Sequence, residues 1–191
     1  LTSDANEKEA IYKKAAECYE KDYRAYNNVA VMAFNKGDEN AAKSYVKQAF
    51  AKDQKAPEGY ANLALIALRN GNIAEAESNL SKAINANGFG EVMGNLNIAK
   101  GNYATAVKNF EGSKSNSAAL AQILNKDYAA AVATLKDQKN ADALSDYLMA
   151  IVQNRQGNTA AAQDYLNSAI KKNSALSQYA DNDLEFANLK K

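Results

Sequence analysis

AYNNVAVMAFNKGDENAAKSYVKQAFAKD (residues 25–53) and GYANLALIALRNGNIAEAESNLSKAINAN (residues 59–87) are two versions of one pattern, set 34 positions apart. Tyr26, Val29, Ala30 and Ala33 precede Gly37, and Tyr60, Leu63, Ala64 and Ala67 precede Gly71 at the same offsets. Ala42, Val46 and Ala49 follow the first glycine, and Ala76, Leu80 and Ala83 follow the second. Large residues at helical spacing make an apolar stripe, with alanine where two helices touch closely. Glycine ends a helix in the left-handed region, and the Asp38 or Asn72 after it can accept the free N–H groups of the next helix. Each segment therefore predicts a helix, a tight turn and a second helix.

The punctuation recurs along the chain. Gly101-Asn102 and Gly157-Asn158 repeat it, and Lys126-Asp127 fills the one gap. The spacing contracts in the middle, since Gly101 follows Gly71 by 30 residues and Lys126 follows Gly101 by 25. NYATAV (102–107) and DYAAAV (127–132) still align as second helices. The missing residues are expected from GFGEVMGN (88–95) and EGSKSNS (111–117), which are rich in turn formers. Pro57 suits the first turn of a helix, where no N–H donor is needed. Asp4 with Glu7, and Asn72 with Glu75, have capping-box spacing.

At these positions the sequence resembles the tetratricopeptide repeat family, over roughly residues 23–174. The resemblance implies an all-α fold, a right-handed superhelical solenoid of helix hairpins closed by a C-terminal capping helix. Residues 1–191 divide on this reading into a lone helix (6–21), five repeats (23–56, 57–87, 88–116, 117–140 and 141–174) and the cap (175–191). The lone helix reads as the second half of a truncated repeat. Its Ile11, Tyr12, Ala15 and Tyr19 are expected to reach the next helix, with further polypeptide upstream covering what they leave open. In the cap, Leu184, Phe186 and Leu189 are expected to seal the last repeat while Asp181, Asp183 and Glu185 face water.

Composition disfavours catalysis. The chain has no histidine and one cysteine, which removes Ser–His and Cys–His pairs and most zinc sites. Gly88-Phe89-Gly90 lacks the third glycine of a dinucleotide fingerprint. No catalytic residue, cofactor or metal is expected, and the chain reads as no enzyme. Cys18 reads as a small buried hydrophobe. The sequon Asn79-Leu80-Ser81 falls inside a predicted helix and reads as chance. A net charge of +1 offers no basic excess for a phosphate backbone, so nucleic acid is not an expected partner. The longest apolar run, ANLALIAL (61–68), is too short to span a bilayer.

What remains is binding. The resemblance places the first helix of each hairpin on a concave wall. In the first two repeats that wall offers Arg24, Asn27, Val31, Phe34 and Asn35, then Asn62, Leu65, Leu68 and Arg69 beside Glu58 and Ala61. In the last full repeat it offers Tyr147, Ile151, Asn154 and Arg155. Asn can clamp a peptide backbone, Arg a carboxylate, and Phe or Leu an apolar side chain. Arg24, Asn27, Phe34, Asn62, Leu65 and Arg69 are the partner-binding candidates, for a protein or peptide. Family members that bind chaperones carry a two-carboxylate clamp; Asn27 occupies one of its positions, but Val31 stands where an asparagine belongs, so that clamp is not expected. The competing reading is a structural spacer with its groove empty or filled by a neighbouring helix or the chain's own tail. The Ala-, Asn- and Lys-rich style and the ending DNDLEFANLKK resemble repeat segments in cell-envelope proteins of the Bacteroidetes. This implies a periplasmic or outer-membrane-associated location, with the cytoplasm as the alternative.

Overall fold

A computed structural model describes residues 4–18, 22–83, 89–139 and 141–189. Tyr19 and Gly88, the first residue of the turn-rich GFGEVMGN segment, lie outside that set. The described residues form α-helices and one short 3-10 helix, with no strand. Contacts divide the chain into two compact units, Leu1–Lys100 and Gly101–Lys191.

Unit one contains α1 (Ala5–Cys18), α2 (Tyr23–Asn35), α3 (Glu39–Lys52), α4 (Pro57–Arg69), α5 (Ile73–Lys82) and α6 (Gly90–Ala99). Consecutive helices pair as hairpins, α2 with α3 and α4 with α5, and α4 lies against both α2 and α6. The turns follow from local chemistry. Gly37 and Gly71 take φ of 83° and 70°, a region that costs other residues strain. This lets the N–H of Asp38 donate to the carbonyl of Ala33, and that of Asn72 to Ala67, closing each helix end. The Asp38 and Asn72 side chains then accept from Ala41 and Glu75 and open the next helix. Asn72 also donates to the Glu75 carboxylate.

Alanine is the contact residue of this core. Ala30, Ala42, Ala49, Ala64, Ala76 and Ala83 are all buried, as the stripe required. Around Ala61, Ala64 and Ala76 the larger Leu80, Val92 and Leu96 complete one cluster. Phe50 lies where a Cβ on Gly59 would sit, within 2.7 Å, so Gly59 admits the ring to the α3–α4 corner. Asn79 is buried in the middle of α5, which places the sequon out of reach.

α1 is tied to α2 by the Tyr26 hydroxyl, which donates to the Ala16 carbonyl, and by an ion pair between Lys36 and Glu9. Asp4 caps it by accepting from the N–H groups of Asn6 and Glu7. Two expectations fail here. Ile11 is 53% exposed, and Cys18 is exposed as well. The reason is helical phase: residues 11 and 18 lie seven apart on one stripe, while Glu9, Tyr12 and Ala16 occupy the stripe that meets α2.

Unit two contains α7 (Tyr103–Asn109), α8 (Asn116–Leu124), α9 (Tyr128–Lys136), α10 (Ala143–Arg155), α11 (Thr159–Lys172), α12 (Leu176–Asn182) and a 3-10 turn at Leu184–Phe186. α8 pairs with α9 and α10 with α11. The contraction seen in the sequence is taken from helix length: α7, α8 and α9 have 7, 9 and 9 residues, against 13 for α2 and α4. The EGSKS segment is a turn with Gly112 at φ 77°. Lys126 takes the left-handed turn position at φ 64°, and Asp127 caps α9 by accepting from Ala130. The helices after Gly101 and Gly157 have no side-chain cap of this kind; Asn158 turns its amide back to Gln153 instead. Ala150, Ala162 and Ala169 are buried.

The C-terminal segment departs from the expected cap. Phe186 is fully buried, edge-on to Tyr147 with ring centroids 5.2 Å apart, and Leu189 packs on the same cluster. Leu184, however, is 89% exposed and seals nothing. Asp183 and Glu185 do not simply face water: Asp183 accepts from the Tyr147 hydroxyl at 2.6 Å, and Glu185 pairs with Arg155. A 3-10 turn advances three residues per turn, so Leu184 cannot share a face with Phe186.

Candidate functional site

α2, α4 and α6 stand side by side in unit one, and their first-helix faces enclose an open cavity of about 340 Å3. α2 contributes Arg24, Asn27, Asn28 and Val31; α4 contributes Glu58, Ala61, Asn62 and Leu65; Val92 and the preceding Phe89 close the third side. A smaller apolar recess of about 70 Å3 adjoins it, between Val31 and Phe34 on α2 and Leu65 and Ile66 on α4. Four of the six candidate residues, Arg24, Asn27, Asn62 and Leu65, thus line one cavity, and Phe34 lines the recess beside it.

Their states are less uniform than their spacing. Asn27 is only 4% exposed. Its Oδ1 accepts from Asn62 Nδ2 at 3.4 Å, while its own Nδ2 is buried without a hydrogen-bond partner. Glu58 is half-buried, and its Oε2 is also buried without a partner. Arg24 is exposed but engaged: its Nε and Nη2 donate to Asp22, and this holds the Asp22 carboxyl down to about 2. The Tyr23 hydroxyl is pushed up, first by burial and then by the charges of Glu58 and Asp53. The negative charges at this end of the cavity are therefore only partly compensated.

Arg69 plays another part. Its guanidinium stacks on the Phe34 ring at 3.7 Å from the centroid, and Nη1 donates to the Phe34 carbonyl at 2.7 Å. That carbonyl is in the last turn of α2, where the helix dipole favours a cation. Arg155 repeats the contact in unit two, donating from Nη1 to the Ile123 carbonyl at 3.3 Å. Both arginines precede their glycine by two positions, and both acceptors precede their left-handed residue by three. Arg69 is thus a strut between adjacent hairpins. Asn62 is half-buried and bonded to Asn27, and Arg69, though exposed, ties α4 to α2.

The matching wall of the last repeat is covered. Asn154 Nδ2 donates to the Glu185 carbonyl and exchanges amide hydrogen bonds with Asn188 at 2.9 Å. Arg155 grips the Glu185 carboxylate through Nε and Nη2. Burial, the Asp183 hydrogen bond and the neighbouring carboxylates push the Tyr147 hydroxyl far up. Sequence reasoning named these wall residues and gave the chain's own tail as one occupant of the groove, but not the polar contacts of Glu185 and Asn188. The signal was present as DLEFAN, an acidic and aromatic stretch opposite a Tyr-Asn-Arg wall.

Among the described residues, no group of three His, Cys, Asp or Glu side chains could hold a metal ion. No helix among them is long and apolar enough to cross a membrane.

Helix hairpins with left-handed turns, alanine crossings and an open first-helix wall define a helical-repeat protein. The tetratricopeptide repeat family model matches residues 23–51 and 57–88, the α2–α3 hairpin and the segment that carries α4 and α5. These two hairpins are tetratricopeptide repeats. No curated protein matches the chain. Tetratricopeptide repeats are a non-catalytic fold that generally mediates protein–protein interaction.

Proposed function

We propose that this chain is a protein-interaction scaffold that takes an extended segment of a partner in the cavity of α2, α4 and α6. One observation carries the reading: the cavity combines an apolar floor with a buried donor and a buried acceptor that have no hydrogen-bond partner in the protein. Such groups are costly in a packed interior and favourable at a recognition site. Arg24, Asn27, Asn62 and Leu65 would touch the segment directly. Phe34 and Arg69 would shape the wall beside it.

The test is site-directed photocrosslinking in the native host. A benzophenone side chain at Leu65 should give a covalent adduct with another polypeptide, and the same group at Lys43 on the far helix of the hairpin should not. Equal adducts at both positions, or none at Leu65, would move the interface elsewhere.

A second reading has its own support. The wall of α10 is filled by the chain's own residues 183–189, as befits a structural module that needs no ligand there. On that reading the array serves as a spacer or assembly surface of a larger envelope protein. The periplasmic or outer-membrane location, proposed from sequence style alone, is tested by fractionating cells and probing with an antibody to this chain. Recovery in the cytoplasm rejects it.

A further inference from the structure

Arg24 and Glu58 are the charged residues lining the α2–α4–α6 cavity, and their situations differ. Arg24 donates twice from Nε and once from Nη2 to Asp22, at 2.9, 3.2 and 2.8 Å, so one edge of its guanidinium is already occupied by a carboxylate. Glu58 has no such partner at Oε2. It stands in the first turn of α4, where the N-terminal dipole favours an anion. Asp53 adds a further negative charge near Tyr23. An acidic ligand would meet Glu58 and have to share Arg24 with Asp22. The Tyr23 hydroxyl already interacts with the Glu58 carboxylate, and a cationic nitrogen would supply the donor that Oε2 lacks.

The remaining contacts fix the rest of the ligand. Asn27 Nδ2 is a buried donor without a partner and calls for a carbonyl oxygen. Val31, Leu65 and Val92 offer an apolar seat a few side chains across. Resting on the groove reading above, we propose that the cavity selects a basic, apolar segment: a Lys or Arg nitrogen on Glu58, a backbone carbonyl on Asn27, and an adjacent aliphatic or aromatic side chain on the Val31–Leu65–Val92 floor. This specificity is opposite in charge to a carboxylate clamp.

A randomised dodecapeptide display library, selected on the immobilised chain, tests this without a known partner. Selected sequences should pair Lys or Arg with a large apolar residue one to three positions away and be depleted in Asp and Glu. Replacing that Lys by Glu in a selected peptide should weaken binding by about tenfold or more, the usual scale for a hydrogen bond to a charged group. Glu58→Gln, with helicity checked by circular dichroism, should abolish the basic preference while apolar selection persists. Acidic winners, or the same basic winners on Glu58→Gln, overturn the charge assignment alone. Amide NMR shifts separate the two levels. Peptides that perturb none of α2, α4 and α6, or a library with no enrichment over bare support, reject the groove itself and this inference with it.

Discussion

Lys126 holds a φ of 64° at the turn where the neighbouring hairpins place glycine, and no other described non-glycine residue has a positive φ. The left-handed region costs an L-residue about 1–2 kcal/mol, while glycine loses about 0.4–1 kcal/mol through its freer unfolded chain. Relief of strain is the larger effect. Lys126→Gly should therefore stabilise unit two by about 0.5–1 kcal/mol in urea unfolding. Gly71→Ala reverses the balance and should destabilise unit one by about 1 kcal/mol. At Ala64, fully buried at a helix crossing, the issue is volume. Ala64→Leu should lower stability by about 1–3 kcal/mol through overpacking, read from the same unfolding curves. The alanine stripe and the glycine turns were legible in the sequence because each depends on local backbone and neighbouring volume. Cys18 was not, because its burial depends on helical phase: two residues' rotation carries it from the side of Ala16, which faces α2, to nearly the opposite side.

At the scale of single elements, α1 and the C-terminal segment are held by different forces. α1 relies on carboxylates. Lys13 first and Lys36 second hold the Glu9 carboxyl down to about 2, and the backbone N–H groups of Glu7 and Asn6 lower Asp4. A folded pKa below the unfolded one gives stability that is present above the unfolded value and lost as pH falls through the folded value. Between pH 4.5 and about 2, α1 should lose its cap and its tie to Lys36 while α2 to α5 stay helical. Amide exchange by NMR should find α1 opening first on acidification; uniform opening would contradict this. The C-terminal segment relies on burial. The Arg155–Glu185 pair is more than a quarter exposed on both sides, and such pairs contribute at most about 1 kcal/mol. Phe186 is fully buried, and truncation of such a ring costs about 3–5 kcal/mol. Phe186→Ala should therefore destabilise unit two several-fold more than Glu185→Ala in thermal unfolding. The sequence marked Phe186 as a sealing residue but not Glu185 as a partner of Arg155, since a contact across 30 positions has no periodic signature.

For the whole molecule, helix length varies along the chain while the chemistry of the turns does not. Short helices bury less surface and close fewer backbone hydrogen bonds, so they open more readily. Hydrogen exchange should be faster in α7, α8 and α9 than in α4; equal or slower exchange would show that packing compensates for length. The candidate cavity was legible as a set of offsets from the packing stripe. Its charge preference was not, because that depends on which of two ionised side chains already has a partner. The docked C-terminal segment also bears on synthesis. α10 leaves the ribosome roughly thirty residues ahead of Phe186, which completes its core. Until residues 183–189 have left the ribosome, Tyr147 and Asn154 are exposed and available to whatever is nearby, and the α10–α11 hairpin reaches its final form only once that segment has emerged. Folding of a nascent chain runs from the N-terminus onward. The order of translation thus leaves a brief interval in which the α10 wall is as open as the wall of α4.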